Sequence, residues 1–129
     1  MKKLSHQIGW FIVVGATAAL VHWLVVVALV GASGLAPLIA NIIGWLVAFL
    51  VSFTGHYQLT FRHQRSSLFR SVKRFFMLSA AGFLVNEASF AVLLYKTDVP
   101  YELLLGLVLV GVAFLTFIAS RFWAFAAIR

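Results

Sequence analysis

The sequence predicts an all-α membrane protein of four transmembrane helices. Of its 129 residues, 64% are hydrophobic and 10% are charged, whereas an ordinary soluble domain is about half apolar and about a quarter charged. The apolar residues fall into four long runs, and the ten Lys and Arg residues cluster at the ends of those runs. Because so apolar a surface is not stable in water, we expect the runs to face lipid or one another within a single membrane domain, residues 1–129.

The first apolar run, residues 8–30, contains no Lys, Arg, Asp or Glu. At a rise of about 1.5 Å per residue it is long enough to cross a hydrocarbon core about 30 Å thick. Lys2 and Lys3 before the run, and the small residues around Ala18 within it, are also typical of a cleaved secretory signal. The run continues well past Ala18, which favours a helix that stays in the membrane.

The second helix is predicted over residues 35–54. Residues 31–34, Gly-Ala-Ser-Gly, indicate a turn. Pro37 suits the first turn of the helix that follows, where its missing N–H has no helical partner to lose. The first two helices should therefore form a tight hairpin.

The central segment, residues 55–74, is basic and is the only substantial loop that the sequence predicts. Its Lys and Arg residues are Arg62, Arg65, Arg70, Lys73 and Arg74. From residue 68 to residue 76 apolar side chains recur at helical spacing, which indicates a short amphipathic helix in the headgroup layer. This interfacial helix should lead into a third span over residues 75–95.

A fourth span is predicted over residues 103–122, after a short polar connection. Nine of the ten Lys and Arg residues lie at the N-terminus, in the central segment or near the C-terminus, and Lys96 alone lies in the opposite connections. Because basic residues near span ends favour the cytoplasmic side, both termini and the central segment are predicted to be cytoplasmic.

The chain also matches itself at an offset of 64 residues. The offset pairs Phe11 with Phe75, His22 with Asn86, Ser52 with Thr116, Phe53 with Phe117, and Phe61 with Phe125. Residues 8–61 and 75–125 would then be two copies of one hairpin, separated by residues 62–74. Since each copy holds two spans, both enter from the same side, which predicts parallel repeats about an axis near the membrane normal. Chance similarity between apolar segments is the alternative.

The strongest repeated element closes each hairpin, as SFTGHYQLTF at residues 52–61 and TFIASRFWAF at residues 116–125. In this element, and in the FIVVG of residues 11–15, the chain resembles the GtrA-like family of small four-helix membrane proteins. The second copy, with Ser120 followed by Arg121, is nearer to that family's pattern than the first, which has His56 and Tyr57 at the matching positions.

The resemblance implies translocation of a polyprenyl-phosphate-linked sugar, or of the polyprenyl-phosphate carrier. The membrane would be the cytoplasmic membrane of a bacterium or archaeon, and the purpose surface polysaccharide synthesis or glycosylation. One alternative is a proton-coupled exporter like the small multidrug transporters, although their membrane carboxylate lies in the first helix and Glu87 lies in the third. Another is a non-transporting scaffold for a membrane glycosyltransferase.

The expected partners follow from size and charge. Four helices enclose little volume, so we expect a homo-oligomer or a glycosyltransferase partner. The net charge of +7 sits at span ends, which favours anionic lipid over nucleic acid. The chain has no cysteine, no metal-ligand spacing, no Gly-rich phosphate loop and no nucleophile with a base, so we expect no enzyme activity, metal or cofactor.

Four residues with imidazole, amide or carboxyl side chains are predicted to lie within the membrane. They are His22, Asn41, Asn86 and Glu87. Counted from the cytoplasmic ends of their helices, all four fall at similar depth and are candidates for one polar layer that holds a sugar headgroup or moves a proton. The alternative is a hydrogen-bonded cluster that only joins helix to helix.

A second candidate site lies at the predicted cytoplasmic ends of the second and fourth helices. Arg121 there is a candidate phosphate ligand, because a guanidinium makes paired hydrogen bonds with phosphate oxygens. Ser120, His56 and Tyr57 are assigned to the same substrate site. Interfacial anchoring by Arg and aromatic side chains is the alternative.

Overall fold

The fold is built from helices throughout the described part of the chain. The computed structural model describes the backbone of residues 2–60 and 68–127 and the side chains of residues 5–59, 73–74 and 76–115. Within these residues the order of elements is α1 (Lys2–Ser33), α2 (Pro37–Gly55), a π-helical turn (His56–Thr60) that extends α2, α3 (Leu68–Lys96) and α4 (Tyr101–Ala127). No strand occurs in them, so the predicted all-α class is confirmed.

Three of the helices are long and apolar enough to cross a membrane. Their candidate spans are Ser5–Ser33, Pro37–Leu59 and Phe76–Lys96, and the apolar segment described in α4 is Tyr101–Leu115. Large apolar side chains stay exposed along them, with Leu20 57% and Leu84 69% accessible. Such surfaces are unfavourable in water and suit lipid, so the chain is a membrane protein.

The helix bounds differ from the predicted ones mainly around the central segment. The interfacial helix predicted before the third span is not a separate element, because α3 runs without a break from Leu68 to Lys96. Residues 68–81 contain no Gly or Pro to interrupt it. Pro37 is the first residue of α2, as predicted. The basic residues 62 and 65 lie outside the described residues.

Two compact units divide the chain, Met1–Ala80 and Ala81–Arg129. In the first unit α1 packs on α2. The buried face of α1 is Val14, Ala18, His22 and Val26, and that of α2 is Ala40, Asn41, Gly44 and Ala48. Spacings of three and four residues keep each set on one side of its helix, with Asn41 beside Ala40, and the small residues of α2 let the two backbones come close.

The second unit holds the rest of α3 and all of α4. Its buried residues, among those described, are Asn86, Phe90, Leu104, Leu105 and Val108. Each of these lies 64 residues after a residue that is buried in the first unit: His22, Val26, Ala40, Asn41 and Gly44. The offset that relates the two halves of the sequence thus also relates their buried positions.

The turns of the two hairpins follow the same offset. The Ser33 hydroxyl donates to the Leu29 carbonyl at 2.6 Å, and the Thr97 hydroxyl donates to the Leu93 carbonyl at 2.8 Å. The first turn also contains Gly34 at a φ of 67°, a left-handed conformation that glycine adopts without strain after a helix.

The two helices that follow these turns begin in the same way. The Ala36 carbonyl accepts the N–H groups of residues 39 and 40, and the Pro100 carbonyl accepts those of residues 103 and 104. Positions 36 and 100 are again 64 residues apart. Each acceptor satisfies N–H groups that the first turn of a helix would otherwise leave unpaired.

Candidate functional site

A buried hydrogen bond joins α1 to α2 at the centre of the first unit. Nε2 of His22 lies 2.6 Å from Oδ1 of Asn41, and the two residues are 5% and 0% exposed. Because an amide oxygen only accepts, the imidazole must carry its proton on Nε2. Two of the four predicted membrane-embedded polar residues are therefore brought together, and each satisfies the other away from water.

Gly44 makes this close approach possible. A Cβ at this position would lie 2.8 Å from Cγ2 of Val26, 2.9 Å from Cδ2 of His22 and 3.0 Å from the His22 carbonyl oxygen. Any larger residue would push α2 away from α1.

A cavity of about 170 Å³, open to the surface of the first unit, lies next to His22. Its lining is Ala18, Ala19, His22, Trp45, Ala48, Phe49, Ser52 and Ser79. The indole N–H of Trp45 donates to the Ser79 hydroxyl at 2.8 Å. The lining thus combines aromatic rings with neutral hydrogen-bonding groups, and it contains no Lys, Arg, Asp or Glu.

The sequence-based prediction of the site included His22 but missed Trp45, Ser79 and the role of Ser52 in the cavity. Trp45 and Ser52 are seven residues apart and so lie on one face of α2, four and eleven residues after Asn41. That spacing was a usable signal. Ser79 had none, because a serine within an apolar run commonly bonds to its own helix.

His56 lies in a different environment from the one that the sequence predicts. The expectation of a loop beginning at residue 55 is wrong. The helix continues through the π-helical turn, and His56 is 5% exposed with its ring stacked on Phe11 at a centroid distance of 4.9 Å.

The cause is the close contact of Gly55 with α1. A Cβ at Gly55 would lie 2.7 Å from Cγ1 of Val14, so only glycine lets α2 stay against α1 at this point. Because Gly55 packs against Val14, the ring of the next residue, His56, lies against the ring of Phe11. Tyr57, the other candidate in this segment, is half-buried and stacks on Phe53 at 5.6 Å.

The remaining candidates belong to the second unit. Asn86 is 4% exposed and Glu87 is half-buried, and both make interactions with other groups. The single polar layer with His22 and Asn41 stays a prediction. Ser120 and Arg121 lie on α4, and their side chains are outside the described residues.

Comparison with known proteins identifies a transmembrane-domain family. The model of the family GtrA/DPMS, transmembrane domain, matches residues 10–125, which is nearly the whole chain. No curated protein and no solved structure gives a match. The extent of the family match decides the assignment: this chain belongs to the GtrA/DPMS transmembrane-domain family.

Proposed function

We propose that the protein moves a polyprenyl-phosphate-linked sugar across the cytoplasmic membrane for glycosylation or for surface polysaccharide synthesis. The observation that carries this proposal is the cavity in the first unit of a chain that belongs to the GtrA/DPMS family. The cavity lies between helices that are long enough to span the membrane, and its lining is partly polar.

The chemistry of a sugar explains why such a lining matters. Each hydroxyl of a sugar loses hydrogen bonds to water on entering hydrocarbon, at a cost of roughly 2–7 kcal/mol when nothing replaces them. The hydroxyls of Ser52 and Ser79 offer replacement partners on the cavity wall. The polyprenyl chain needs no such partner and can remain in lipid.

The phosphate group of the lipid requires a cationic ligand, and we assign this role to Arg121. The guanidinium would form paired hydrogen bonds with two phosphate oxygens at the headgroup layer. Binding of the lipid should fall in the order Arg, Lys, Ala at position 121, because Lys keeps the charge without the planar fork. Equal binding by Arg121→Ala, with normal insertion, would make Arg121 an interfacial anchor.

The proposed path also requires four spans with both termini in the cytoplasm. The positions of the basic residues support this orientation. Reporter fusions after Arg129 should read cytoplasmic, and those within residues 98–101 should read external. An external signal at Arg129 would refute either the number of spans or their direction.

The direct test is leaflet exchange in liposomes. The purified protein is reconstituted with a labelled polyprenyl-phosphate hexose, and the fraction of label accessible from outside is followed over time. We expect faster exchange than in protein-free liposomes, with no acceleration of a labelled phosphatidylcholine. Exchange at the protein-free rate would refute the proposal, and equal acceleration of both lipids would indicate a non-specific membrane defect.

A further inference from the structure

The cavity of the first unit lies at the middle depth of the two helices that form most of its wall. Ala19 is the central residue of the candidate span Ser5–Ser33, and Ala48 is the central residue of the candidate span Pro37–Leu59. Both residues line the cavity. A spanning helix places its central residue near the midplane of the bilayer. The cavity therefore lies roughly 15 Å from either surface of a hydrocarbon core about 30 Å thick.

The polar side chains on the cavity wall are the hydroxyls of Ser52 and Ser79, the indole N–H of Trp45 and the imidazole of His22. Two of these groups already have partners in the first unit. The Trp45 N–H donates to the Ser79 hydroxyl at 2.8 Å, and Nε2 of His22 lies 2.6 Å from Oδ1 of Asn41. A hydroxyl that accepts one hydrogen bond still has its own proton to donate. Both serine hydroxyls can therefore bond to a ligand.

This wall suits hydroxyl groups and does not suit ions. A sugar hydroxyl can exchange its hydrogen bonds with water for bonds to the two serine hydroxyls. The lining residues include no Lys, Arg, Asp or Glu, so a carboxylate on a sugar ring would find no Lys or Arg there to pair with. A charge at the centre of a membrane is costly, and charged groups at that depth are normally paired with one another.

We propose that the cavity admits lipids whose sugar is uncharged and rejects lipids whose sugar carries a carboxylate. The inference rests on the proposed function and narrows its substrate class. The phosphate is common to charged and uncharged lipids, so its own cost of crossing the membrane cancels when the two are compared. The carboxylate adds a second negative charge, and the desolvation of that charge is not repaid at the cavity wall.

The test compares two lipids that differ by one charge. A polyprenyl-phosphate hexuronate carries a carboxylate, and the corresponding hexuronamide has a neutral amide of nearly the same size in its place. Leaflet exchange of both is measured in liposomes that contain the parent protein, at about pH 8, where a histidine of ordinary pKa is neutral. We expect the hexuronamide to exchange roughly a hundredfold faster than the hexuronate.

A cation placed in the cavity should weaken this selection. Ser52→Lys puts an ammonium group on the wall, and Ser52→Met is the matched control because its side chain is nearly as long and uncharged. We expect Ser52→Lys to reduce the ratio of the two exchange rates to roughly tenfold or less and Ser52→Met to keep it near roughly a hundredfold. A general loss of folded protein does not change this ratio, because both lipids are measured in the same liposomes.

The outcomes separate this selection from the proposed function. If the parent exchanges a polyprenyl-phosphate hexose but moves the hexuronate as fast as the hexuronamide, or moves neither of them, selection by charge is refuted and the proposed function stands. The same conclusion follows if Ser52→Lys folds and exchanges the hexuronamide but has the same ratio of rates as Ser52→Met. If the parent exchanges no polyprenyl-phosphate sugar at all, the proposed function itself fails.

Discussion

Five buried positions of the second hairpin match buried positions of the first at the offset of 64 residues, but the side chains at most of them differ. In the first hairpin, positions 40, 41 and 44 are Ala, Asn and Gly, while the matching positions 104, 105 and 108 in the second are Leu, Leu and Val. Position 22 is His, and its counterpart at position 86 is Asn. The matching positions are therefore buried in both hairpins, but the side chains there differ in size and polarity.

The two hairpins therefore differ in the size and polarity of their buried side chains. Small residues on α2 bring its backbone close to α1 and leave room for a polar pair and a cavity. Bulky aliphatic residues on α4 fill the corresponding positions with hydrocarbon. We infer that the first hairpin carries the polar cavity, while the second contributes apolar packing at the positions that match Ala40, Asn41 and Gly44.

The largest effect is expected from Gly44→Val, which places at position 44 the residue type that the second hairpin has at position 108. The added side chain would overlap Val26, His22 and the α1 backbone and would pull His22 from Asn41. We expect a loss of about 3 kcal/mol in the free energy of unfolding, measured by SDS titration in mixed micelles. Gly111→Val is the control, since a Cβ there meets no atom within 4 Å.

A smaller effect is expected at the other close contact between α1 and α2. Gly55→Ala puts a methyl group 2.7 Å from Cγ1 of Val14, a stiff β-branched side chain that cannot easily turn away. The free energy of unfolding should fall by about 1–2 kcal/mol. Gly82→Ala meets open space, so it should instead raise stability by up to about 1 kcal/mol. Equal effects of both substitutions would contradict the close packing assigned to the first hairpin.

The smallest effect on the free energy of unfolding is expected from the hydrogen bond between His22 and Asn41. A double-mutant cycle of His22→Leu and Asn41→Leu should give a coupling of about 1 kcal/mol, within the range found for polar pairs in membrane bundles. As a control, Asn41→Leu combined with Ser33→Ala should be additive, because the Ser33 hydroxyl bonds to Leu29 within α1. An additive cycle for His22 and Asn41 would mean that the bond does not stabilise the hairpin.

Much of this fold could be predicted from the sequence because the membrane imposes simple rules. Long apolar runs become helices, since no other open structure pairs its backbone groups in hydrocarbon. Pro37 was correctly placed in the first turn of α2. His22 and Asn41 were found as candidates because a polar residue in an apolar run is rare enough to be noticed.

Other features depend on contacts between distant residues and could not be predicted. His56 stands at the start of a polar, basic stretch of sequence that is typical of a loop. It is buried in the first unit because Gly55, the residue before it, packs against Val14. Ser79 becomes part of the site because Trp45 reaches it across 34 positions of sequence. Such contacts are set by how helices pack, which hydrophobic periodicity does not specify.

The central claim, that the cavity of the first hairpin is the sugar site, is tested most directly by filling it. Ala19 lines the cavity, and the second hairpin has Phe83 at the matching position. We would measure leaflet exchange of a polyprenyl-phosphate hexose in liposomes containing Ala19→Phe, with Phe83→Ala as the counterpart in the second hairpin. We expect Ala19→Phe to insert and fold but to slow exchange roughly tenfold or more. This is the loss expected when about 1.4 kcal/mol of substrate contact is removed. Phe83→Ala should exchange the lipid at the parent rate. Exchange by Ala19→Phe at the parent rate would contradict it.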